Sequence, residues 1–95
     1  MDIASVRHKH LKAFLEDQTV KGLPATIIVR LRRAVAALVE ANNIAELAAF
    51  PQWRVHMLQG DRQGDWSVTV TGNWRLTFRI IDDAVHNLNL EDYHQ

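Results

Sequence analysis

Two histidines, a tyrosine and two arginines in the second half of the chain are of the types that acid–base chemistry on a phosphodiester uses. His56 lies in the run V-H-M-L, Arg75 and Arg79 lie in the run W-R-L-T-F-R-I, and Tyr93 and His94 lie at the end of the chain. Histidine titrates near neutral pH and can act as a base or an acid. Arginine is the usual bidentate partner of phosphate. Together these residues predict a site that binds a phosphodiester and moves protons on it without a metal or a cofactor.

Each of these residues also has an ordinary structural explanation when it is considered alone. Arg75 and Arg79 have the spacing expected on a solvated sheet face, where charged side chains pair across strands. His56 lies between apolar neighbours and fits a half-buried strand position, and chain ends commonly fray. Asp92 fits an exposed polar position or an acceptor that orients a neighbouring histidine, whereas Tyr93 would hold the chain end in place by packing back. The spacing alone leaves both interpretations open.

The first half of the sequence predicts a short strand over residues 2–6 and then helices. Residues 8–18 place apolar side chains at the i, i+3, i+4 spacing of an amphipathic helix. A second helix ends at Asn42-Asn43, and residues 44–49 add one more turn. The second helix is predicted from one continuous apolar stripe, which is formed by Ile27, Ile28, Leu31, Ala34, Val35, Leu38 and Val39.

The second half of the sequence changes to the period of two that is typical of strands. Apolar and polar side chains alternate over residues 66–71 and again over residues 74–80. Between these runs, Gly72-Asn73 predicts a two-residue hairpin turn. Asp82-Asp83 predicts the next turn, and residues 84–90 fit a third strand.

These elements predict an α+β fold, a small antiparallel β-sheet with the N-terminal helices packed on one face. Because successive side chains of a strand point to opposite faces, Arg75 and Arg79 share the solvent-facing side of the sheet, away from the helices. Residues 60–64 lack the spacing of a phosphate-binding loop. This segment is predicted to be a turn that leads into the strand at Trp66.

The composition is that of one ordinary globular domain spanning residues 1–95. The 11 Lys and Arg residues balance the 11 Asp and Glu residues, so any contact with RNA has to depend on local charge. Arg30, Arg32 and Arg33 form a local cluster that fits a solvated helix face or a docking surface for an acidic partner or ribosomal RNA. The sequence has no cysteine, no signal peptide and no apolar run of membrane-spanning length, which favours the cytoplasm.

Several short motifs, taken in order, resemble the HigB-type toxins of the RelE superfamily, which are also described as plasmid maintenance system killer proteins. The pattern of that family runs H-P-L-K-G-x-R-x-G-x-W-S-V, then x-x-W-R-I-x-F-R, then E-D-Y-H near the end. The resemblance extends over nearly the whole chain and is weakest in residues 40–52. The matching positions are His56, Leu58, Gly60, Arg62, Gly64, Trp66, Ser67, Val68, Trp74, Arg75, Leu76, Phe78, Arg79, Glu91, Asp92, Tyr93 and His94.

The resemblance implies a RelE-like toxin fold and the toxin of a type II toxin–antitoxin system. Such a toxin is a ribosome-dependent endonuclease that cleaves mRNA in the ribosomal A site and inhibits translation. In the implied reaction a base takes the proton of the ribose 2′-OH, the oxygen attacks the neighbouring phosphate, and an acid protonates the leaving 5′-oxygen, with no metal and no cofactor. The implied partner is a cognate helix-turn-helix antitoxin of the HigA type, and operator DNA is reached only through that antitoxin. No membrane partner is expected.

The resemblance also implies roles for individual residues. The implied catalytic set is His56, Arg75, Asp92, Tyr93 and His94. His56 and His94 are the two candidates for base and acid, and their order stays open. Arg75 would stabilise the charge that builds on the phosphoryl oxygens. Tyr93 would stack on a base or hydrogen-bond the phosphate, and Asp92 would orient a histidine or bind RNA.

Three further residues are implied to bind RNA, namely Gln59, Arg62 and Arg79. Gln59 departs from the family pattern, which often has lysine at this position, and Met57 stands where proline is common. The missing lysine removes one positive charge from the implied site. This departure predicts weaker cleavage or weaker RNA binding.

Two other functions stay open on the sequence. The first is a non-catalytic module of the same fold that binds an antitoxin or an RNA, which Gln59 and the zero net charge favour. Truncation of His94 would abolish cleavage by an endonuclease and leave the binding of such a module intact. The second is a metal-dependent hydrolase that uses His56, His86 and His94. Their spacing matches no known metal site, and full activity in a chelator would exclude it.

Overall fold

The computed structural model describes residues 1–93, which form three α-helices and five strands. The helices are α1 (Lys9–Asp17), α2 (Ile28–Glu40) and α3 (Ile44–Ala48). The strands are β1 (Asp2–Ile3), β2 (His56–Met57), β3 (Trp66–Thr69), β4 (Trp74–Ile81) and β5 (Ala84–Asp92). Short 3-10 segments cover Ala25–Ile27, Pro51–Trp53 and Gly60–Arg62.

The strands form one sheet in the order β1-β5-β4-β3-β2. Every neighbouring pair is antiparallel except β1 and β5, which run parallel, with Ile3 opposite Val85. The strand predicted over residues 2–6 is therefore shorter than expected, although Val6 forms an isolated bridge with Leu88. The third predicted strand is longer than expected, because β5 continues to Asp92.

α1 begins at a histidine that caps its first turn. The Nδ1 atom of His8 accepts a hydrogen bond from the backbone N–H of Leu11 at 3.1 Å. Burial lowers the pKa of His8, with a smaller contribution from His10, so the uncharged ring that can accept this bond is favoured. The helix ends at Gln18, which adopts a left-handed φ of 58°. Leu11 and Phe14 are buried, which confirms the amphipathic helix predicted over residues 8–18.

α2 presents a narrower apolar face than the sequence predicts. Leu31, Ala34 and Leu38 are buried, whereas Val39 is 50% exposed. Each helical residue is rotated by about 100° from the one before it, so Val39 turns away from the core when Leu38 faces it. The predicted stripe is correct at its centre and wrong at Val39.

α3 begins at a reciprocal cap. The side chain of Asn43 accepts a hydrogen bond from the backbone N–H of Glu46 at 3.0 Å. The Glu46 carboxylate in turn accepts one from the backbone N–H of Asn42 at 3.0 Å, which lowers the pKa of Glu46. Two otherwise unpaired backbone donors are satisfied in this way. The extra turn predicted for residues 44–49 is confirmed.

The core lies between the helices and one face of the sheet, which confirms the predicted α+β arrangement. Val68, Leu76 and Phe78 of the sheet and Leu11 and Leu31 of the helices are each at most 1% exposed. Burial of this apolar surface is the main favourable contribution to folding. Within residues 1–93, none of the helices combines the length and the apolar character that crossing a membrane requires.

The turn between β4 and β5 is the two-residue turn that the sequence predicts. Ile81 pairs with Ala84, and both intervening residues, Asp82 and Asp83, have positive φ angles of 52° and 58°. Positive φ at both positions defines the type I′ turn, whose twist matches that of the flanking strands.

The turn between β3 and β4 differs from the prediction. The backbone N–H groups of Val70 and Thr71 both donate to the carbonyl of Trp74, at 2.9 and 3.0 Å, and neither Gly72 nor Asn73 has a positive φ. The Thr71 hydroxyl instead accepts the backbone N–H of Trp74 at 3.2 Å. The prediction of a two-residue turn at Gly72-Asn73 is therefore wrong, because the Thr71 side chain closes a longer loop here.

Candidate active site

The sheet face opposite to the helices carries two adjacent rows of polar side chains. In the first row, Thr69 pairs with Arg75, and Arg75 pairs with Glu91. In the second row, His56 pairs with Ser67, Ser67 with Thr77, and Thr77 with Asn89. Directly opposed residues of a sheet point to the same face, so the strand register places His56 and Arg75 on one surface.

The distance between His56 and Arg75 follows from the register. The two residues lie two strands apart and one row apart, which corresponds to roughly 12 Å between their Cα atoms at standard strand spacings. The sheet geometry places both residues on one face, and their joint role in one site stays a prediction.

Glu91 is the centre of the hydrogen-bond network on this face. Its two oxygens accept hydrogen bonds from Arg62 Nη1 at 2.7 Å and Arg62 Nη2 at 2.6 Å. Arg75 Nη2 donates to the same carboxylate at 3.3 Å, and the Thr77 hydroxyl donates a further short bond. The bonds from Arg62 are the largest cause that lowers the pKa of Glu91, from 4.5 to about 2, against the opposing effect of burial. The carboxylate is therefore charged throughout the physiological pH range.

Arg75 is held on two sides and is less exposed than the sequence predicts. Its side chain is 18% exposed, because Glu91 contacts one guanidinium nitrogen and the Tyr93 ring lies 4.9 Å from the guanidinium carbon. Arginine over an aromatic face is a favourable cation–π arrangement. The Nε atom of Arg75 is buried without a hydrogen-bond partner among residues 1–93. Arg75 lies on the face away from the helices and forms a cross-strand charge pair with Glu91, as one of the two interpretations predicts, and the end of the chain covers it.

Tyr93 packs back onto the sheet, as one of the two interpretations of the chain end predicts. Its backbone N–H donates to the carbonyl of Asn73 at 2.9 Å, and its ring contacts Arg75. Asp92 is exposed and pairs with Trp74, so strand alternation places it on the face opposite to Glu91. His94 lies outside the described residues, and its predicted role stays a prediction.

His56 is exposed, and its ring orientation is set by a backbone contact. Its Nδ1 atom lies 2.8 Å from the carbonyl oxygen of Arg54. Because a carbonyl only accepts hydrogen bonds, Nδ1 must carry the proton. In the uncharged ring the lone pair is then on Nε2, the nitrogen on the far side of the ring from this contact. Such an arrangement suits a general base.

The three residues predicted to bind RNA have different surroundings. Arg62 is bound to Glu91 and also to Asp65 at 3.3 Å, and these contacts raise its pKa. Arg79 donates to Asp65 at 2.9 Å and is exposed. Gln59 is exposed and lies two residues after the end of β2. Both arginines therefore share an acidic neighbour in the free protein, whereas Gln59 borders the face.

A polar pocket of about 230 Å³ opens beside this network. Arg7, Arg79, Asn87 and Asn89 are among the residues that line it. Gly64 permits Arg79 to lie over the loop, because a Cβ atom at position 64 would come within 3.2 Å of the guanidinium. Within residues 1–93, no group of three or more His, Asp or Glu side chains is placed to hold a metal ion.

The residue that sequence reasoning missed is Glu91. Its place in the E-D-Y-H motif was a signal, but only the register shows that it stands directly opposite Arg75. Thr77, which sequence reasoning did not single out, is 2% exposed and bonded to Glu91. Asp65, which joins Arg62 to Arg79, had no motif to identify it.

The sheet packs helices on one face and carries arginines and a histidine on the other. The sequence model of the HigB-like toxins, described as the RelE-like toxin of the type II toxin–antitoxin system HigB, matches residues 4–94. The chain belongs to this family. It is 41% identical over 92 residues to the protein named Endoribonuclease HigB of Proteus vulgaris, and the match covers 97% of this chain and 99% of that protein.

Solved structures with the same fold are found at much lower sequence identity. The crystal structure of YafQ from E. coli strain BL21(DE3) has a TM-score of 0.60 and 14% identity to this chain, covering 93% of this chain and 91% of YafQ. A mutant of YafQ from E. coli has a TM-score of 0.56 with the same identity and coverage. At this level of identity the similarity supports the α+β fold alone.

Proposed function

We propose that this toxin is an endoribonuclease that cleaves mRNA in the A site of the ribosome and thereby inhibits translation. The observation that carries the proposal is the shared sheet face of His56 and Arg75, which puts a proton-transfer group and a phosphate-binding group on one surface. The name of the Proteus vulgaris relative, an endoribonuclease, supports the same activity.

The proposed reaction uses side chains of the chain alone. His56 Nε2 removes the proton of the ribose 2′-OH, and the oxygen attacks the adjacent phosphorus. The bond from phosphorus to the 5′-oxygen of the next nucleotide breaks, and His94 donates a proton to that oxygen. The products are a 2′,3′-cyclic phosphate and a free 5′-hydroxyl. Arg75 donates hydrogen bonds to the phosphoryl oxygens as their negative charge increases, which lowers the energy of the transition state.

The network around Glu91 gives Arg75 a defined position before RNA arrives. A guanidinium that already has its orientation loses little conformational freedom when it binds a phosphate. Arg62, Arg79 and Gln59 extend the polar surface along the path that flanking nucleotides take. Tyr93 supplies an aromatic ring next to Arg75 on which a base can stack.

As a type II toxin, the chain has an antitoxin partner. We propose that this partner is a HigA-like protein with a helix-turn-helix domain, and that operator DNA is contacted only through it. The site of action is the cytoplasm, where ribosomes and mRNA are present.

A second function, a binding module with little or no cleavage, is favoured by one observation. The arginines of the face, Arg62, Arg75 and Arg79, each contact a carboxylate, and Gln59 supplies no positive charge where the family often has lysine. A phosphate therefore has to compete with Glu91 and Asp65 for these arginines.

Mapping of 5′ ends in a purified translation reaction tests the proposal. The wild-type chain is compared with His56→Ala and His94→Ala, with and without ribosomes. His86→Gln is the matched control, because His86 lies at the other end of β5 from Glu91. New ends within codons that require ribosomes and disappear in both alanine variants support the proposal. No new ends from folded wild-type protein would favour the binding module.

A further inference from the structure

A second basic pocket lies outside the sheet face, where α2 meets the end of β3. Its volume is about 290 Å³, and it is lined by Arg30, Arg33, Gln52, Trp53 and Val70. The two arginines belong to the exposed side of α2, and Trp53 ends the 3-10 segment Pro51–Trp53. The pocket shares no lining residue with the candidate active site, so the proposed cleavage reaction gives the pocket no role.

The charge of this pocket is not neutralised. Arg30 Nη1 donates to the carbonyl of Val70 at 3.4 Å, which fixes the guanidinium against the pocket wall and leaves its other nitrogens available. Arg33 is exposed. Among residues 1–93 neither guanidinium forms an ion pair with a carboxylate, in contrast to Arg62 and Arg79. No acidic side chain lines the pocket.

The chemistry of the lining fits a nucleotide better than an acidic peptide. Two guanidinium groups bind the oxygens of a phosphate with directional hydrogen bonds. The half-buried indole of Trp53 offers an aromatic surface, on which a base or ribose can pack. The exposed amide of Gln52 can donate to or accept from a base edge. An acidic peptide would use the charges but not the aromatic ring.

The pocket is joined to the candidate active site by the loop of residues 70–73. Val70 lines the pocket, and its N–H donates to the carbonyl of Trp74 at 2.9 Å. At the other end of the loop, the carbonyl of Asn73 accepts the N–H of Tyr93, which contacts Arg75. The loop therefore separates the two sites by only a few residues.

We propose that the pocket formed by Arg30, Arg33 and Trp53 is a second RNA-binding site, which holds the backbone phosphate of an RNA segment other than the one that is cleaved. A role of this pocket in orienting the toxin for cleavage rests on the proposed function. The affinity of the pocket for RNA does not depend on that function and is tested separately.

The test is RNA binding by the full chain as a function of salt. Fluorescence anisotropy with a labelled single-stranded RNA is measured for the wild type, Arg30→Gln, Arg33→Gln and the double variant. Arg32→Gln is the matched control, since Arg32 lies on the same helix and is exposed but lines a different groove, near Phe14. Thermal unfolding of each variant verifies that it is folded.

The proposal predicts that the double variant, which loses both guanidinium groups on one phosphate, binds RNA at least about tenfold more weakly. It also predicts a slope of log K against log salt that is smaller by roughly 0.7 for each lost phosphate contact. Arg33→Gln alone gives part of this change without altering the Arg30–Val70 contact, and Arg32→Gln gives none. Equal losses in Arg32→Gln and Arg33→Gln would overturn the proposal, because they would reflect net charge alone.

Two further outcomes separate this proposal from the proposed function. If the wild type cleaves no mRNA but the double variant binds RNA more weakly than the wild type does, the second site is supported and the endonuclease is contradicted. Unchanged RNA binding, together with weaker binding of a poly-glutamate probe, would overturn the second site and assign the pocket to an acidic protein segment. Cleavage by the wild type would be unaffected by that result.

Discussion

Replacement of Glu91 by glutamine removes the charge at the centre of the candidate site and nearly preserves its shape. In the wild type the carboxylate binds Arg62 through two hydrogen bonds and Arg75 through one. The amide of glutamine keeps one oxygen acceptor but turns an NH₂ group toward a guanidinium. We therefore expect Glu91→Gln to lower the free energy of unfolding, because Arg75 loses its carboxylate partner and Arg62 keeps only Asp65.

The size of this effect follows from the pKa of Glu91. A carboxyl whose pKa falls from 4.5 to about 2 on folding stabilises the folded state at neutral pH. At about 1.4 kcal/mol per pKa unit, the contribution is roughly 3 kcal/mol. Solvent screening reduces this value, because Arg62, the main partner, is 39% exposed, whereas Glu91 itself is 19% exposed. We expect Glu91→Gln to cost about 2–3 kcal/mol, which lowers the Tm of a domain of this size by roughly 10–15 °C.

The pH dependence gives an independent check of the same cause. Because the folded pKa lies below the unfolded value of 4.5, the contribution of Glu91 is fully present above pH 4.5 and is lost as the pH falls toward about 2. The difference in Tm between wild type and Glu91→Gln should therefore be largest at pH 7 and shrink steadily in acid. Other carboxylates titrate in both proteins and cancel in the difference.

The assay is thermal unfolding followed by circular dichroism at pH 7, 5 and 3. Glu16→Gln is the control, because Glu16 is exposed and forms no ion pair among residues 1–93. A loss in Glu91→Gln within about 0.5 kcal/mol of that control, the range of ordinary surface substitutions, would refute the reasoning. A loss that does not vary with pH would refute it as well, since the cost would then come from packing.

Three further predictions follow from the site. Gln59→Lys restores a positive charge beside the face, and we expect faster mRNA cleavage in the translation assay; an unchanged rate would mean that position 59 is peripheral. Gly64→Ala places a side chain on a backbone with φ of 105° and brings its Cβ atom against Arg79. We expect a larger fall in Tm than for Gly60→Ala, because a Cβ atom added at position 60 has no atom within 4 Å. Equal falls in Tm would show that the Arg79 side chain moves aside freely. Tyr93→Leu removes the ring under Arg75 and should lower the free energy of unfolding, measured in urea, by about 1 kcal/mol. Tyr93→Phe keeps the ring and should match the wild type. Equal losses in the two variants would assign the effect to the hydroxyl group.

The fold was largely predictable from the sequence, because its helices and strands have clear periodicity. The helix at residues 8–18 and the alternation around Phe78 both correspond to elements of the structure. The turn at Gly72-Asn73 was not predictable, since the choice between loops depended on the hydroxyl of Thr71. The parallel pairing of β1 with β5 joins the two ends of the chain and leaves no local signal.

The candidate site was predictable in part of its members, and neither the central place of Glu91 nor the connections were predictable. Alternation alone places Arg75 on the face opposite to the core, and the motif adds His56 and Tyr93. The bonds between Arg62 and Glu91 join residues that are 29 positions apart, and such a pairing depends on strand register. The coverage of Arg75 by Tyr93 likewise depends on how the chain end folds back.

The chemical ends of the cleaved RNA test the central claim most directly. RNA from a purified translation reaction with the wild-type chain is analysed by mass spectrometry for the termini at the cleavage point. Attack by the 2′-oxygen between His56 and Arg75 predicts a 2′,3′-cyclic phosphate on one fragment and a 5′-hydroxyl on the other. A 3′-hydroxyl and a 5′-phosphate would contradict the account, because water rather than the ribose would then be the nucleophile.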